Sequence, residues 1–293
     1  PEGGWLWKIS GNGLSHPSYL FGTYHGTYDI LYQYTDSIPE LHQAFNACSQ
    51  FAGESETTSK PTPAQVGAAI KLPKDTTYAD LLNKEDFHFL DSIVRQSLKS
   101  PLNKVYIKPN FLALILGEIE KGKKLVDTGY SQSRIDSMKS QVMDIALEKK
   151  AKEKGLTIVG LEGIFDAFVS EKSNLKKEAD ELISDLREDD EISPLSFVNT
   201  LSDVYRTQNM KSLIDFEVKV DSIFRTSPKL TEIGKRIRED LLKRRNLNWM
   251  NKIPELMKAQ PTFIAVGVRH LPGKDGLIAL LLEKGYQVEP IGL

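Results

Sequence analysis

The sequence predicts an α/β fold of the α+β type: a mixed central β-sheet enclosed by helices, with a large helical insertion between its early and late strands. Three observations lead to this fold class. Strand-like segments lie near the two ends of the chain, a helical hydrophobic period dominates the middle, and one short β-branched run interrupts that middle. We expect a single domain over residues 1–293, with the insertion at about residues 60–260 and its strand near 156–162.

The N-terminal region predicts three strands and a helix. Trp5–Ser10 (WLWKIS) and Ser18–Gly22 (SYLFG) lie on either side of a Gly-Asn-Gly turn whose residues tolerate positive φ, so we expect a β-hairpin. Ile38–Asn46 has apolar residues at helical spacing and a proline near its first turn, which predicts a short helix. Cys48–Gly53 is a third candidate strand, and acidic residues follow it.

Helical periodicity dominates the chain from Tyr78 to about Met257. The candidate helices are Tyr78–Leu98, Pro109–Lys121, Ser133–Lys154, Ile164–Arg187, Ser196–Thr207, Lys211–Phe224 and Thr231–Met257. One β-branched run, Leu156–Glu162 (LTIVGLE), follows a lysine-rich helix end and Gly155. This is how a helix gives way to a buried strand, so we expect the chain to return to the sheet there.

The C-terminal region predicts a strand, a helix and a last strand. Thr262–Val268 (TFIAVGV) is a candidate buried strand, and Asp275–Lys284 is a candidate helix that ends at Gly285. Tyr286–Ile291 alternates between apolar and polar residues, as a half-buried strand does. The order of these elements predicts that the two strands pair in parallel through a right-handed crossover.

Charge and composition exclude several classes of protein. The 38 Lys and Arg against 40 Asp and Glu give a formal charge of −2, so we expect no nucleic-acid partner. The single cysteine, Cys48, cannot form an internal disulfide or a multi-thiolate zinc site. The longest apolar run, Phe111–Gly117, is far shorter than the roughly 20 residues that cross a bilayer, which predicts no transmembrane segment.

The start of the sequence bears on where the protein acts. The chain begins at Pro1 without a methionine and without a basic-then-apolar leader. This start predicts an N-terminus from which a leader has been removed. We therefore expect an exported bacterial protein, either periplasmic or a membrane-anchored lipoprotein with its lipid anchor upstream, with the cytoplasm as the alternative.

One short string occurs twice in the sequence. Residues 19–25 read YLFGTYH and residues 264–270 read IAVGVRH, in each case three apolar residues, a glycine, two further residues and a histidine. With 20 glycines and 5 histidines, chance gives about 0.3 such G-x-x-H matches per chain. Both strings follow candidate strands, so the repeat predicts that His25 and His270 lie together at the carboxyl edge of the sheet.

Acidic residues are expected at the same edge. Glu54 follows the third candidate strand and is the carboxylate that we expect beside the histidines. Glu56 is the second candidate for this role, because side chains two residues apart in a strand lie on one face. Neutral imidazoles beside a carboxylate suit a divalent metal ion or a general base. A single strand-end histidine more often caps a loop, but the pairing favours a site. We therefore predict one site formed by His25, Glu54 and His270, which either binds a divalent metal ion, with Mn, Co or Zn as the candidate cofactor, or supplies a general base.

The other histidines and the neighbours of the motif histidines are expected to have lesser roles. His16, His42 and His88 lie in a turn or on candidate helices without nearby ligand types, so we predict structural roles for them. Tyr24 and Arg269 each come immediately before a motif histidine. In an extended chain these two side chains would point to the opposite face.

The same residues resemble the TraB/GumN family, which includes the Tiki proteins. The resemblance rests on an early LFGT-x-H, an acidic strand end, and a late VG-x-x-H-L-x-G-x-x-G-L followed by GY-x-V. These are Leu20–His25, Glu54, Val266–Leu277 and Gly285–Val288, and the similarity extends to Lys108-Pro109, Asp144–Lys154, Leu161-Glu162, Arg245-Asn246 and Trp249. The chain departs from the family where it reads Leu-Glu-Gly for Leu-Glu-Thr, and Phe-Ala-Gly-Glu in place of a run of aliphatics.

The resemblance implies a mixed sheet enclosed by helices, in which both G-x-x-H motifs and the acidic strand meet at one site. In the Tiki branch that site is assigned to a metal-dependent peptidase. Carried over to this sequence, His25, Glu54 and His270 are metal ligands or catalytic groups. Arg245 would orient a substrate carboxylate or Glu54, and Glu162 would either coordinate the metal or hydrogen-bond a ligating histidine.

Three functions remain open from the sequence. The leading one is a metal-dependent hydrolase, most simply a peptidase, whose ion activates water against a peptide or small-molecule substrate. A metal-independent esterase-like hydrolase would use His25 or His270 as a general base, as a more distant resemblance to erythromycin-esterase-like proteins implies. The third is a non-catalytic ligand-binding or regulatory protein of the same fold, since relatives are named for plasmid-conjugation control, exopolysaccharide production and haem uptake.

Overall fold

The computed structural model describes residues 3–24, 39–56, 61–127, 129–139, 142–166, 174–187 and 201–292. The chain forms two compact units. The first, called the sheet unit below, comprises Pro1–Ser59, Met138–Ala167 and Ser193–Leu293. The second, the helical unit, comprises Lys60–Ser137 and Phe168–Ile192. The expectation of one domain over the whole chain stays a prediction.

A mixed six-stranded sheet forms the centre of the sheet unit, which confirms the predicted fold class. Its strands are β1 (Leu6–Ser10), β2 (Ser18–Thr23), β3 (Gln50–Gly53), β4 (Thr157–Gly160), β5 (Thr262–Gly267) and β6 (Gln287–Pro290). Their order across the sheet is β4-β3-β5-β2-β1-β6. The four strands β4, β3, β5 and β2 run parallel to one another, so their carboxyl ends meet at one edge.

Strand β5 lies inside this parallel group and is buried along its whole length. Its continuous apolar run suits a strand covered on both faces. The N-terminal hairpin is also present: β1 pairs antiparallel with β2, and the turn between them contains Gly11, Asn12 and Gly13 at φ of 76°, 46° and 81°. These positive φ values explain the Gly-Asn-Gly sequence, since glycine and asparagine adopt them at the lowest cost.

The predicted pairing of the last two strands is wrong. Strand β6 forms its hydrogen bonds with β1, in the antiparallel sense, and β2 and β1 lie between β6 and β5. The reason is that the N-terminal hairpin occupies the edge of β5 through the β2 pairing. The helix Leu277–Glu283 therefore carries the chain past the hairpin to the far edge of the sheet.

The helices are α1 (Pro39–Asn46), α2 (Pro63–Ile70), α3 (Tyr78–Leu81), α4 (Lys84–Leu98), α5 (Pro109–Asp127), α6 (Gln132–Lys139), α7 (Met143–Glu153), α8 (Leu175–Arg187), α9 (Met210–Phe224), α10 (Pro228–Arg236), α11 (Arg244–Trp249), α12 (Ile253–Ala259) and α13 (Leu277–Glu283). Residues 201–206 are also helical. None of the helices that the structure describes is long and apolar enough to cross a membrane. Each unit has its own hydrophobic core.

A π-helical segment, Ile237–Lys243, joins α10 to α11 without a break in the helix. Ser227 begins this long helix by accepting a hydrogen bond from the backbone N–H of Leu230. A π-helical turn adds a residue to the helical turn and rotates everything that follows, and such turns occur often at functional sites. Here the rotation applies to α11, which carries Arg245, Asn246 and Trp249.

Cys48 lies in the hydrophobic core of the sheet unit, and its reactivity tests the packing there. Its side chain is buried, and burial raises the pKa of the thiol to about 12. The thiol therefore stays protonated through the neutral range, and a protonated buried thiol is a poor nucleophile. We expect the native protein not to react with iodoacetamide at pH 8, and the urea-unfolded protein to react completely. Rapid alkylation of the native protein would contradict the packing around this residue.

Candidate functional site

The carboxyl edge of the parallel strands brings polar residues from distant parts of the sequence together. Glu162 lies two residues after β4, Glu54 directly follows β3, and His270 ends the 3₁₀ turn Val268–His270 that follows β5. Arg245 reaches the same edge from α11. The first motif histidine, His25, lies outside the described residues.

The guanidinium of Arg245 is the centre of this cluster. Its Nε donates hydrogen bonds to both carboxylate oxygens of Glu162, at 2.9 and 3.2 Å. Its Nη2 donates to Glu54 Oε2 at 2.5 Å and also to Glu162 Oε1. The planar fork of an arginine suits such contacts with two carboxylates, because its donors have a fixed geometry.

The three charged side chains are largely buried: 11% of the Arg245 side chain is exposed, 11% of Glu162 and 16% of Glu54. Burial lowers the pKa of Arg245, but the bonds to Glu162 and the charge of Glu54 outweigh it and raise the pKa above its ordinary value. The guanidinium therefore stays charged. Two carboxylates and one guanidinium give this group a net charge of −1, which favours a further cation beside it.

Glu54 is held at both carboxylate oxygens. Oε2 accepts from Arg245, and Oε1 accepts from the backbone N–H of Gly267 at 2.7 Å. Gly267 is the glycine of the second G-x-x-H motif and the last residue of β5. The motif thus supplies a backbone donor for Glu54 as well as a histidine.

The tautomer of His270 follows from the position of Asn246. The Asn246 Nδ2 lies 3.2 Å from the carbonyl oxygen of His270 and 2.8 Å from that of Asp275, so this atom must be the amide NH₂. Asn246 Oδ1 then faces His270 Nδ1 at 2.7 Å and can only accept, so Nδ1 carries the proton. In the neutral imidazole the lone pair is therefore on Nε2.

That lone pair points into the charged cluster. His270 Nε2 lies 3.8 Å from Glu54 Oε1, and Arg245 Nη1 donates to it at 3.3 Å. The Asn246 bond is the kind that holds a metal-binding or general-base histidine in one orientation. His270 is thus buried, fixed in its tautomer and presented to Glu54.

Trp249 packs beneath the cluster. The centroid of its ring lies 4.5 Å from the centroid of the His270 ring and 4.7 Å from Arg245 Cζ. Its indole Nε1–H donates a hydrogen bond to Glu162 Oε2 at 3.1 Å. One side chain therefore contacts the histidine, the arginine and one carboxylate. Arg245, Asn246 and Trp249 all come from α11, which explains the Arg-Asn-x-x-Trp spacing: residues four apart share a helix face.

The first motif packs directly on the second through Gly22. A Cβ at this position would lie 2.8 Å from Val268 Cγ2 and 3.1 Å from Val268 Cα. The absence of a side chain at Gly22 therefore allows β2 to lie close to the turn that carries His270.

We expect Gly22→Ala to destabilise the protein by about 1–3 kcal/mol, because the added methyl meets backbone and cannot be accommodated by a side-chain rotation alone. Urea unfolding measures the change. Gly117→Ala is the matched control, since Gly117 lies in α5 and a Cβ there meets nothing within 4 Å. That substitution should be neutral or stabilising by up to about 1 kcal/mol. Equal effects of the two changes would contradict the close packing at Gly22.

A cavity of about 140 Å³ opens beside Glu54. Its lining comprises Phe51, Gly53, Glu54, Ser55, Asp144, Glu148 and Ala265. Asp144 lies in the first turn of α7 and accepts a hydrogen bond from Thr23 Oγ1 at 2.8 Å, and Glu148 pairs with Lys152. The cavity gives a small group access to Glu54 from the side of the sheet covered by α7.

Glu56 does not share the position of Glu54. The prediction that both side chains lie on one face of a strand is wrong, because β3 ends at Gly53 and the residues after it do not continue as a strand. The Glu56 carboxylate instead lies 3.2 Å from Lys152 Nζ. Of these two glutamates, only Glu54 contacts Arg245 in the structure.

The described atoms are compatible with part of a metal site. One ion with bonds of about 2.1 Å can join two ligand atoms that lie as far apart as His270 Nε2 and Glu54 Oε1. Among the residues that the structure describes, no three His, Cys, Asp or Glu side chains are arranged to hold an ion together, and His25 is not one of these residues. Arg245 Nη1 also lies on the lone-pair side of His270 Nε2, so an ion bound there would have to displace that contact.

Two groups of the site, the Asn246 amide and the Gly267 N–H, carry no signal of their role in the sequence. Asn246 lies next to Arg245 in the sequence, but only the fold shows that its amide faces the histidine. A backbone donor such as Gly267 N–H leaves no signal in the side-chain pattern, beyond the glycine itself.

Comparison with known proteins gives one match. Residues 5–290 match the family described as the TraB/PrgY/gumN family. The match covers both G-x-x-H strings and every residue of the cluster around Arg245. No curated protein and no solved structure matches the chain.

Proposed function

The chain belongs to the TraB/PrgY/gumN family, and from this premise we propose that it is a metal-dependent hydrolase, in the first place a peptidase of the Tiki type. The proposed active site is the cluster at the carboxyl edge of the sheet, completed by His25. The observation that carries the proposal is His270 Nε2, which the Asn246 bond leaves unprotonated and which lies 3.8 Å from Glu54 Oε1. A histidine held in this tautomer can act as a ligand or a base once Arg245 Nη1 moves away from its Nε2.

A divalent ion, if bound, would be held by His25, Glu54 and His270, and it would supply an activated water and polarise the scissile carbonyl. The net charge of −1 on Glu54, Glu162 and Arg245 supports cation binding at this position. The chain's own residues do the rest. Arg245 fixes Glu54 and Glu162, Asn246 fixes the His270 ring, and the cavity beside Glu54 admits the substrate group.

A metal-independent hydrolase is the second candidate, and the position of Arg245 favours it. A cation already lies 3.3 Å from His270 Nε2 and neutralises one of the two carboxylates. In this version Arg245 Nη1 leaves His270 Nε2 for the carbonyl oxygen of the substrate, and Nε2 takes a proton from water as the water oxygen bonds to the carbonyl carbon. The bond to the leaving group then breaks, and the same proton passes from His270 to the leaving atom. Arg245 would stabilise the negative charge on the carbonyl oxygen.

The test is hydrolysis of a diverse peptide mixture, followed by mass spectrometry. Protein freed of metal is incubated with Mn²⁺, Co²⁺ or Zn²⁺, with and without a chelator. We expect cleavage that needs the ion and that His270→Gln abolishes. Chelator-resistant cleavage that His270→Gln abolishes would support the general-base version. Cleavage that survives His270→Gln would point to a contaminating protease, and saturable binding without product would favour the non-catalytic alternative.

Export is the second part of the proposal, either to the periplasm or to a membrane surface through an upstream lipid anchor. Fractionation of cells that express the native gene measures it directly. Recovery in the periplasmic or membrane fraction is the expected result. Recovery with the cytoplasmic markers would contradict it and support the cytoplasmic alternative.

A further inference from the structure

The residues that precede the two motif histidines are held by two helices that follow each other in the chain. Tyr24 packs against Tyr205, with ring centroids 5.3 Å apart, and Arg269 pairs with Glu217. Tyr205 lies in the helical residues 201–206 and Glu217 in α9, the next helix along the chain. We call residues 201–224 the anchoring segment.

Tyr205 holds the first motif at two points. Its hydroxyl donates to the carbonyl oxygen of Gly22 at 2.8 Å, and its ring packs on Tyr24. Tyr205 is itself fixed, since the Trp5 ring stacks on it at 5.3 Å and the Trp5 indole donates to its carbonyl oxygen at 2.8 Å. The tyrosine is fully buried. The glycine and the residue before the histidine of the first motif therefore contact the same side chain.

Glu217 holds the second motif through a two-point ion pair. Arg269 Nε donates to Oε1 at 2.6 Å and Nη2 donates to Oε2 at 2.8 Å. Such a fork fixes orientation as well as distance. Burial lowers the pKa of Arg269, but the hydrogen bonds and charge of Glu217 outweigh this effect and raise the pKa above its ordinary value, so the guanidinium stays charged. Only 26% of each side chain is exposed.

The same helix also holds the segment that supplies Arg245 and Asn246. Asp221 lies one helical turn after Glu217, and it pairs with Arg238 of the π-helical segment Ile237–Lys243. Residues four apart face the same side of a helix. One face of α9 thus contacts both the turn that carries His270 and the helix that carries its partner Asn246.

We propose that the anchoring segment positions the site: Tyr205 holds Gly22 and Tyr24 of the first G-x-x-H motif, Glu217 holds the Arg269 side chain of the second, and the two motifs are thereby kept in place at the edge of the sheet. The inference rests on the proposed function in one respect, namely that both histidines serve one site. Tyr205 and Glu217 are positioning residues in this proposal, because each acts through a neighbour of a histidine and contacts no reacting group.

The experiment compares Glu217→Gln and Tyr205→Phe with the wild type by ¹⁵N NMR of the histidine side chains. The chain has five histidines, and His25→Gln and His270→Gln assign the two motif signals. We expect Glu217→Gln to move the His270 signals and Tyr205→Phe to move the His25 signals, while the His88 signals stay in place. The melting temperature is measured in parallel. Charge exchange in the double variant Glu217→Arg, Arg269→Glu should return the His270 signals toward the wild-type position.

Asp215→Asn is the matched control, since Asp215 lies on the same helix in an exposed pair with Lys211. Motif signals that stay in place in both variants, or that move equally in Asp215→Asn, would overturn the proposal. In the hydrolysis assay we expect Glu217→Gln to lower kcat/KM about 10- to 100-fold. If the NMR shifts occur and no hydrolysis is found with any ion, the positioning role stands and the proposed function fails. The two failures are therefore distinguishable.

Discussion

Replacing Arg245 with methionine will destabilise the protein by about 3–5 kcal/mol, because it removes the guanidinium that pairs with two buried carboxylates. These carboxylates belong to Glu54 and Glu162, whose side chains are only 16% and 11% exposed. Methionine keeps much of the apolar stem, so the loss reports the charge more than the packing. Urea unfolding measures it.

Two further variants separate the charge from other effects. Arg245→Met combined with Glu54→Gln and Glu162→Gln should recover most of the lost stability, since the uncompensated charges are then removed. Arg244→Met is the matched control on the same helix, because that side chain is 37% exposed and its carboxylate partner lies 3.9 Å away. It should change the free energy of unfolding by less than about 0.5 kcal/mol. If the Arg245→Met protein were as stable as this control, the claim that Arg245 stabilises the buried carboxylates would be contradicted.

Replacing either motif histidine will lower kcat/KM for a cleaved peptide by at least about 100-fold. We expect His25→Gln and His270→Gln to have similar effects, and the double variant to be no worse than either single one, because residues that act as one unit are strongly non-additive. Steady-state kinetics on one peptide from the mixture measures this. The result would identify the two strings as one site.

His88→Gln is the control for that series, since His88 lies on α4 in the helical unit. Its kcat/KM should equal that of the wild type. Independent, multiplicative losses in the double variant would show that the two histidines act in separate places. Full activity of His25→Gln would remove the first motif from the site.

The residues at the carboxyl edge of the sheet could be predicted from the sequence, because the patterns that mark them are short and contiguous. A glycine at the end of an apolar strand, followed by a histidine three residues later, is visible in a seven-residue string, and so are the strand ends at Glu54 and Glu162. Parallel strands bring their carboxyl ends to one edge whatever the intervening sequence does. For this reason Glu54, Glu162 and His270 could be expected near one another.

Features that depend on long-range packing could not be predicted in this way. Strand β6 pairs with β1 because the hairpin had already taken the edge of β5, and nothing within the last three elements encodes that choice. The orientation of α11 depends on the π-helical segment before it, which the 3.6-residue period does not reveal. The role of Asn246 therefore became visible only with the helix in place.

The helical middle gave the weakest predictions. The continuous helix expected over Tyr78–Leu98 is two helices, α3 and α4, with Asn83 as the N-cap of the second. An asparagine in a periodic segment can lie within a helix or begin one, and the choice depends on tertiary contacts. The contact between Tyr24 and Tyr205 could not be predicted either, because these residues lie far apart in the sequence and only the fold brings them together.

The most direct test of one shared site is a crystal structure of the protein grown with Mn²⁺, with the distance between the His25 and His270 imidazoles as the measured quantity. We expect the two rings to face the same point beside Glu54, with an anomalous peak about 2.1–2.2 Å from a nitrogen of each. Rings that converge without a peak would support the general-base hydrolase. Imidazoles more than about 10 Å apart would contradict a shared site, because no single ion or water could contact both.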